Sequence, residues 1–301
     1  MATAWGGVYT ALTTKFKEDG NVDLPAMEAH IGRQLDAGVH GVIVLGSLGE
    51  NGSLSPVEKQ EIVRAAASAC AGKVPLLAAV AETTTAGACE FVRKGSRDGA
   101  DGFMVLPPMQ YASDERESVH HLRAVAAASG RPIMLYNNPV AYRVDITPAM
   151  FHRLADEPAF VAIKESSDNI RRITDIIALT GDRYRIFTGV DDLAMESLIL
   201  GAAGWVAGLV CAFPRETVVL YELIAHRRID EALAMYRWFM PLLHLDVSTK
   251  FIQNIKLAET MAGDGNERVR PPRLPLAGEE RLRVEQIIAR ALAERPTLPK
   301  V

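Results

Sequence analysis

The chain has 301 residues, of which 49% are hydrophobic, 23% charged and 6% aromatic, a balance near the globular average that excludes disordered, collagenous and fibrous classes. Lys and Arg total 33 against 37 Asp and Glu, a formal net charge of −4, and no block of five like charges builds the footprint that a nucleic acid or an anionic membrane needs. A small-molecule substrate is the partner class that remains, and the length admits either two domains or one α/β barrel of about 250 residues.

The N-terminal run MATAWGGVYTALTTKF lacks a basic segment followed by a long apolar stretch, so no signal peptide is expected and the protein is read as cytoplasmic. Short apolar runs then alternate with amphipathic segments of helical period. The predicted strands are Gly7 to Leu12, Gly41 to Gly46, Pro75 to Ala81, Gly102 to Leu106, Pro132 to Asn137, Phe160 to Lys164, Arg185 to Gly189 and Trp205 to Val210. The helices that follow them are Pro25 to Ala37, Pro56 to Cys70, Thr85 to Arg97, Asp114 to Ser129, Pro148 to Ala155, Asn169 to Leu179, Asp192 to Leu200 and Arg215 to His226. Eight strands, each trailed by a helix, make an α/β protein of the (β/α)8 TIM-barrel type, spanning residues 1–228, rather than an open sheet.

Helix starts are marked by Ser55-Pro56-x-Glu58, by Asp114 with Glu117 and by Thr147-Pro148, and helix ends by Gly38, Gly99 and Gly130. Beyond residue 228 three more helical stretches, about Asp230 to Leu245, Thr249 to Met261 and Gly278 to Ala293, form a C-terminal helical extension, residues 229–301, expected to pack on the barrel. It shows no obvious catalytic residue, and Asp264 to Pro275 reads as a surface loop within it. The uncharged stretch from Ser197 to Phe213 is broken by Gly201, Gly204 and Gly208, so a helix end, a turn and a buried strand explain it better than a membrane span.

Cys70, Cys89 and Cys211 are widely spaced with no C-x-x-C and read as reduced core thiols. The seven histidines lack ligand spacing, and the adjacent His120 and His121 would point roughly 100° apart on a helix, so no structural or catalytic metal is expected.

In a TIM barrel the active site is built where the strands end. The sixth strand ends FVAIKESSD, which puts Lys164 at or inside the barrel mouth. There, desolvation would free the amine of its proton and make it a nucleophile toward a carbonyl or imine, while the plainer reading is a lysine reaching out to water. Tyr136, in LYNNP, ends the neighbouring strand and is either a proton relay or a core phenol. In GSLGEN the glycines allow a tight turn in which Ser47 and nearby amides could hold a carboxylate, and Glu50 could simply prepare the next helix. In GVDD, Asp191 and Asp192 could cap a helix.

Taken together, GSLGEN, LYNNP, IKES and GVDD at this spacing resemble the dihydrodipicolinate synthase and N-acetylneuraminate lyase superfamily of class I aldolase-type barrels, over nearly the whole chain. That resemblance implies a Schiff base on Lys164, a proton shuttle at Tyr136, a carboxylate held by Ser47 and the Leu48 amide, further substrate contacts from Ser166, Gly189 and Asp191, a homotetramer, and no metal or organic cofactor. Three positions depart from the lysine-pathway synthases. Leu48 replaces a threonine that relays protons, Pro107-Pro108-Met109 replaces a Tyr-Tyr pair (Tyr111 lies two residues on), and Ala141 replaces an arginine, with Arg143 displaced by two. The remaining pattern, with YNNPVAYRVD and the late HLD...KFIQNIKLA run, is similar to the hydroxyproline-catabolic branch, the 1-pyrroline-4-hydroxy-2-carboxylate deaminases. A 2-keto-3-deoxy sugar-acid dehydratase or aldolase, a dihydrodipicolinate synthase-like lyase and a non-catalytic binding protein are the alternatives.

Overall fold

Runs such as GVYTA, LLAAV and IMLYN hold apolar side chains on both faces, so they are satisfied only where helices cover one face and a barrel interior the other. In the computed structural model, which describes residues 5–263 and 265–301, they do form such strands. These are β1 (Gly7–Ala11), β2 (Gly41–Val44), β3 (Leu76–Val80), β4 (Gly102–Val105), β5 (Ile133–Asn137), β6 (Phe160–Glu165), β7 (Arg185–Thr188) and β8 (Gly204–Ala207). Each pairs in parallel with the next, and β8 returns to β1 through Val8 opposite Trp205, which closes the barrel.

The outer ring consists of α1 (Leu24–Asp36), α2 (Pro56–Cys70), α3 (Thr85–Asp98), α4 (Glu115–Ser129), the short α5 (Pro139–Tyr142), α6 (Pro148–Arg153), α7 (Arg171–Thr180), α8 (Ala194–Ile199) and α9 (Pro214–Ala225). The C-terminal helices are α10 (Ile229–Leu243), α11 (Phe251–Met261) and α12 (Gly278–Ala293). The fold is therefore the expected TIM barrel with C-terminal helices. The start of the N-terminal run, residues 1–4, and Asp264 lie outside the described residues.

The predicted helix starts have physical counterparts. The Glu58 amide donates to Ser55 Oγ at 3.3 Å while the Ser55 amide donates to Glu58 Oε2 at 2.8 Å, and Asp114 with Glu117 repeats the reciprocal pair. Gly99 and Gly130 cap α3 and α4, whereas Ala37, one residue before Gly38, caps α1.

Two boundaries shift for a single reason. The eighth strand was expected to reach Val210 but stops at Ala207, because the Asp191 carboxylate takes the amides of Gly208 and Leu209 and turns the chain into a 3-10 segment, Leu209–Cys211. Asp191 itself opens the 3-10 turn Asp191–Leu193, so α8 begins later than the predicted Asp192.

The extension is fastened to the barrel by buried ions. Lys256 on α11 places Nζ 2.5 Å from Glu50 Oε1, and the Arg270 amide donates to Glu50 Oε2 at 3.0 Å. Lys15 pairs with Glu259 at 2.6 Å, and Thr13 donates to the same carboxylate at 2.7 Å. Glu50 therefore does not prepare the helix after it, a task that Ser55 performs; it anchors α11 and the following loop beside the end of β2. Cys70 and Cys211 are buried thiols outside any disulfide, Cys89 is a half-buried one, and burial pushes the Cys70 thiol up to about 12, with Asp101 adding to it. Among the described residues no helix is long and apolar enough to cross a membrane.

Removing one partner from a buried ion pair leaves the other charge unpaid for, at a cost of about 3–5 kcal/mol. Lys256→Met is expected to lower stability by that amount, read as a shift of the urea midpoint at unchanged slope.

Candidate active site

Tyr136 and Lys164 are Cα partners in the β5–β6 ladder, and residues directly opposite on paired strands project to the same side. The register therefore sets the phenol beside the amine. Lys164 Nζ lies 4.2 Å from the centre of the Tyr136 ring.

Local structure fixes both side chains. Asn138 accepts the Ala141 amide at 2.9 Å, which starts α5, and donates from Nδ2 to Tyr136 Oη at 3.1 Å. Asn137 donates to Glu165 Oε2 at 3.1 Å and accepts the Ile146 amide at 2.8 Å, and the Ser167 amide donates to Glu165 Oε1 at 2.7 Å. The paired motifs LYNNP and IKES thus lock the ends of adjacent strands to each other. Gly189 supplies the space: a Cβ there would meet Ser166 Oγ at 2.2 Å and Lys164 Cε at 2.3 Å.

Lys164 opens onto a cavity of about 380 Å³, whose wall includes Ser47, Leu48, Tyr136, Ser166 and Gly189. Six of the seven residues singled out from sequence thus share one cavity. Asp191 is the exception and is corrected here. It is fully buried, accepts from Trp205 Nε1 at 2.9 Å and from the Gly208 and Leu209 amides, and is not among the residues that line the cavity. It positions the end of β8. Asp192 likewise ties elements together, its carboxylate to His244 Nδ1 at 2.8 Å and its carbonyl to the Tyr236 hydroxyl at 2.6 Å.

The residue that sequence reasoning missed is Tyr142. Carried on α5, it lines the cavity, makes an edge-on contact with Tyr136 at 5.7 Å between ring centres, and brings its hydroxyl against Ser47 Oγ. A hydroxyl thus reaches Ser47 from an element other than the turn that carries Leu48. The only sequence signal was the N-N-P cap that starts α5, and a four-residue helix is too short to show a period. Ala141 lines the cavity, while Arg143 is solvent-exposed at φ 61°. Tyr111 is exposed, interacts with Glu117 and does not line the cavity.

Burial dominates the electrostatics. It pushes the Lys164 ammonium below its ordinary value, partly opposed by Tyr142, Asp246 and Asp191, which favours the free amine. Burial raises the Tyr136 phenol, while the hydrogen bond from Asn138 and the nearby Tyr142 and Ser166 hydroxyls pull it back. The arrangement can add an amine to a carbonyl or imine and pass a proton along Tyr136, Tyr142 and Ser47. His30, Cys211 and Glu259 bring metal-type donor atoms within 4.8 Å of one another, but the Glu259 carboxylate there is already paired with Lys15 at 2.6 Å.

Comparison with known proteins places this architecture. Residues 4–291 match the dihydrodipicolinate synthetase family. The chain belongs to that family, whose members are lyases. A 4-hydroxy-tetrahydrodipicolinate synthase from Methanothrix thermoacetophila is 30% identical over 289 residues, covering 94% of this chain and 96% of the relative. The solved 4-hydroxy-tetrahydrodipicolinate synthase of Methylacidiphilum fumariolicum superposes with a TM-score of 0.92 at 26% identity, covering 96% and 97% of the two chains. A prophage protein of the family from E. coli K12, solved in complex with pyruvate, gives 0.91 at 26% identity, covering 96% of this chain and 99% of that one.

A methyl group at residue 189 has to displace the amine or Ser166. Displacements near 1 Å at a reacting group cost about 10²-fold. Gly189→Ala is expected to stay folded by circular dichroism while reductive alkylation of the Lys164 amine by a small aldehyde slows by about that factor.

Proposed function

We propose that this family member converts 1-pyrroline-4-hydroxy-2-carboxylate to 2,5-dioxopentanoate and ammonia through a Schiff base on Lys164, as a cytoplasmic enzyme and a homotetramer. The observation that carries this reading is the coincidence, on one cavity wall, of a desolvated amine, an internal phenol–phenol–hydroxyl relay and Ala141 in place of the expected arginine. A single substrate needs no such arginine.

Lys164 attacks C2 of the cyclic imine, and the C2–N bond breaks to leave an open-chain ketimine with a free amine. Ser47 and the Leu48 amide hold the adjacent carboxylate. Tyr136 takes a proton from C3 while handing its own along Tyr142 and Ser47, and the resulting enamine expels the C4 hydroxyl as water. Tautomerisation moves the unsaturation to C5, where hydrolysis of the terminal imine releases ammonia, and hydrolysis of the ketimine frees Lys164. One water is lost and two are consumed, which balances substrate plus one water against product plus ammonia.

A second reading is the condensation of pyruvate with aspartate semialdehyde. Two observations favour it: the relatives named 4-hydroxy-tetrahydrodipicolinate synthase, and Arg273, which brings a guanidinium to the cavity wall from the loop before α12. Sugar-acid dehydratases would share Lys164 and differ in their contacts at Ser166.

A panel of the pyrroline, pyruvate plus aspartate semialdehyde, and 2-keto-3-deoxy acids separates these readings. Ammonia release with aldehyde formation from the pyrroline is the expected result, and efficient condensation without ammonia is the result against it. Borohydride added during turnover should label Lys164, Lys164→Ala should abolish labelling, and Tyr136→Phe should lower turnover by about 10²-fold or more, the usual worth of a general acid or base.

A further inference from the structure

The barrel strands supply a nucleophile and a base to the cavity, and the C-terminal extension supplies an acid. The 3-10 turn His244–Val247 after α10 brings Asp246 onto the cavity wall beside the end of β8, together with Ser248 and Phe251. Gly208 makes room for it, since a Cβ at that position would meet Asp246 Oδ1 at 2.3 Å. Among the described residues nothing hydrogen-bonds or ion-pairs with the Asp246 carboxyl. The neighbouring acids are all committed: Asp191 to Trp205 and the two amides of the β8 turn, Asp192 to His244, and Glu165 to Asn137 and Ser167. Asp168, the other carboxyl on the wall, is solvent-exposed.

We propose that Asp246 is the catalytic acid that protonates the departing hydroxyl, for 2-keto acids or cyclic imines carrying a hydroxyl two carbons from the carbon that Lys164 attacks. This rests on the dehydration proposed above.

Hydroxide is a poor leaving group, because its conjugate acid, water, has a pKa near 15.7, about the worst match for spontaneous loss at neutral pH. An acid must accompany it. Burial and then the Asp191 charge raise the Asp246 carboxyl well above the usual carboxylate range, which favours the protonated form that the step needs. In its ionised form it acts on both Lys164 and Tyr136, so it stands within electrostatic reach of the two groups that open the reaction. In the step itself the electron pair of the C2=C3 enamine forms the C3=C4 bond and the C4–O bond breaks. The oxygen leaves with the Asp246 proton as water, and nitrogen regains the iminium charge. The carboxylate left on Asp246 then faces that iminium, and the positive charge at Lys164 is the one contribution that lowers the Asp246 pKa.

The test compares wild type with Asp246→Asn on two reactions. Exchange of the pyruvate methyl protons in deuterated water, followed by proton NMR, needs only imine formation and the Tyr136 relay. Ammonia release from the pyrroline needs the leaving group as well. The expected result is exchange near the wild-type rate in the variant with ammonia release down by about 10²–10⁴-fold, the range of a general acid. Asp246→Ser, smaller and equally without an acidic proton, gives the same reading where the Asn variant does not fold. A variant that releases ammonia at the wild-type rate overturns the role of Asp246 and leaves the substrate reading standing. Loss of exchange and turnover together in a folded variant also overturns it, by showing that Asp246 serves the amine. Wild-type enzyme that exchanges pyruvate protons but releases no ammonia overturns the substrate reading, and the leaving-group role with it.

Discussion

An amine held out of water at the end of β6 is the constraint around which the rest of this protein is arranged. A buried lysine is more tolerable the more readily it gives up its proton, and burial at the barrel mouth pushes the Lys164 ammonium below its ordinary value. Keeping it there requires the β5–β6 register that opposes Tyr136, a glycine at 189 where any side chain would collide, and a framework of Asn137 and Glu165 that stops the strand ends from separating. Each of these is a packing or hydrogen-bond condition, and each is met by a residue whose alternative would cost the site its geometry.

The turn after β2 is built against local preference. Leu45 sits at φ 63° and Glu50 at φ 56°, left-handed conformations that cost a non-glycine residue about 1–3 kcal/mol each. One is held locally and one from afar: Asn51 donates from Nδ2 to the Leu45 carbonyl at 2.8 Å, and Lys256, distant in sequence, pairs with Glu50. The turn that presents Ser47 is therefore stabilised partly from outside the barrel, which makes the extension a structural partner of the site as well as part of its wall.

The sequence made the barrel legible because strand and helix periods are local, and the strand ends named most of the cavity residues because TIM barrels gather chemistry there. Asp191 was misread for a physical reason. A carboxylate at a strand end looks the same in sequence whether it faces substrate or caps the amides of a neighbouring strand, and only the closure of β8 beside β7 decides which. Tyr142 and Asp246 were passed over because each sits in an element of four residues, Pro139–Tyr142 and His244–Val247, too short for any periodic signal.

What the sequence determined by itself was the set of strands, their parallel order, the helix caps and the pairing of a lysine with a tyrosine at adjacent strand ends. All of these rest on side-chain type and on spacing within about one element. The tertiary structure alone decided that a phenol from α5 reaches Ser47, that Glu50 belongs to Lys256, and that the extension places Asp246 on the same cavity wall as Lys164. Those contacts join residues about 95 and 206 positions apart in the first two cases, and their existence depends on barrel closure, a property of the whole chain that no local pattern carries.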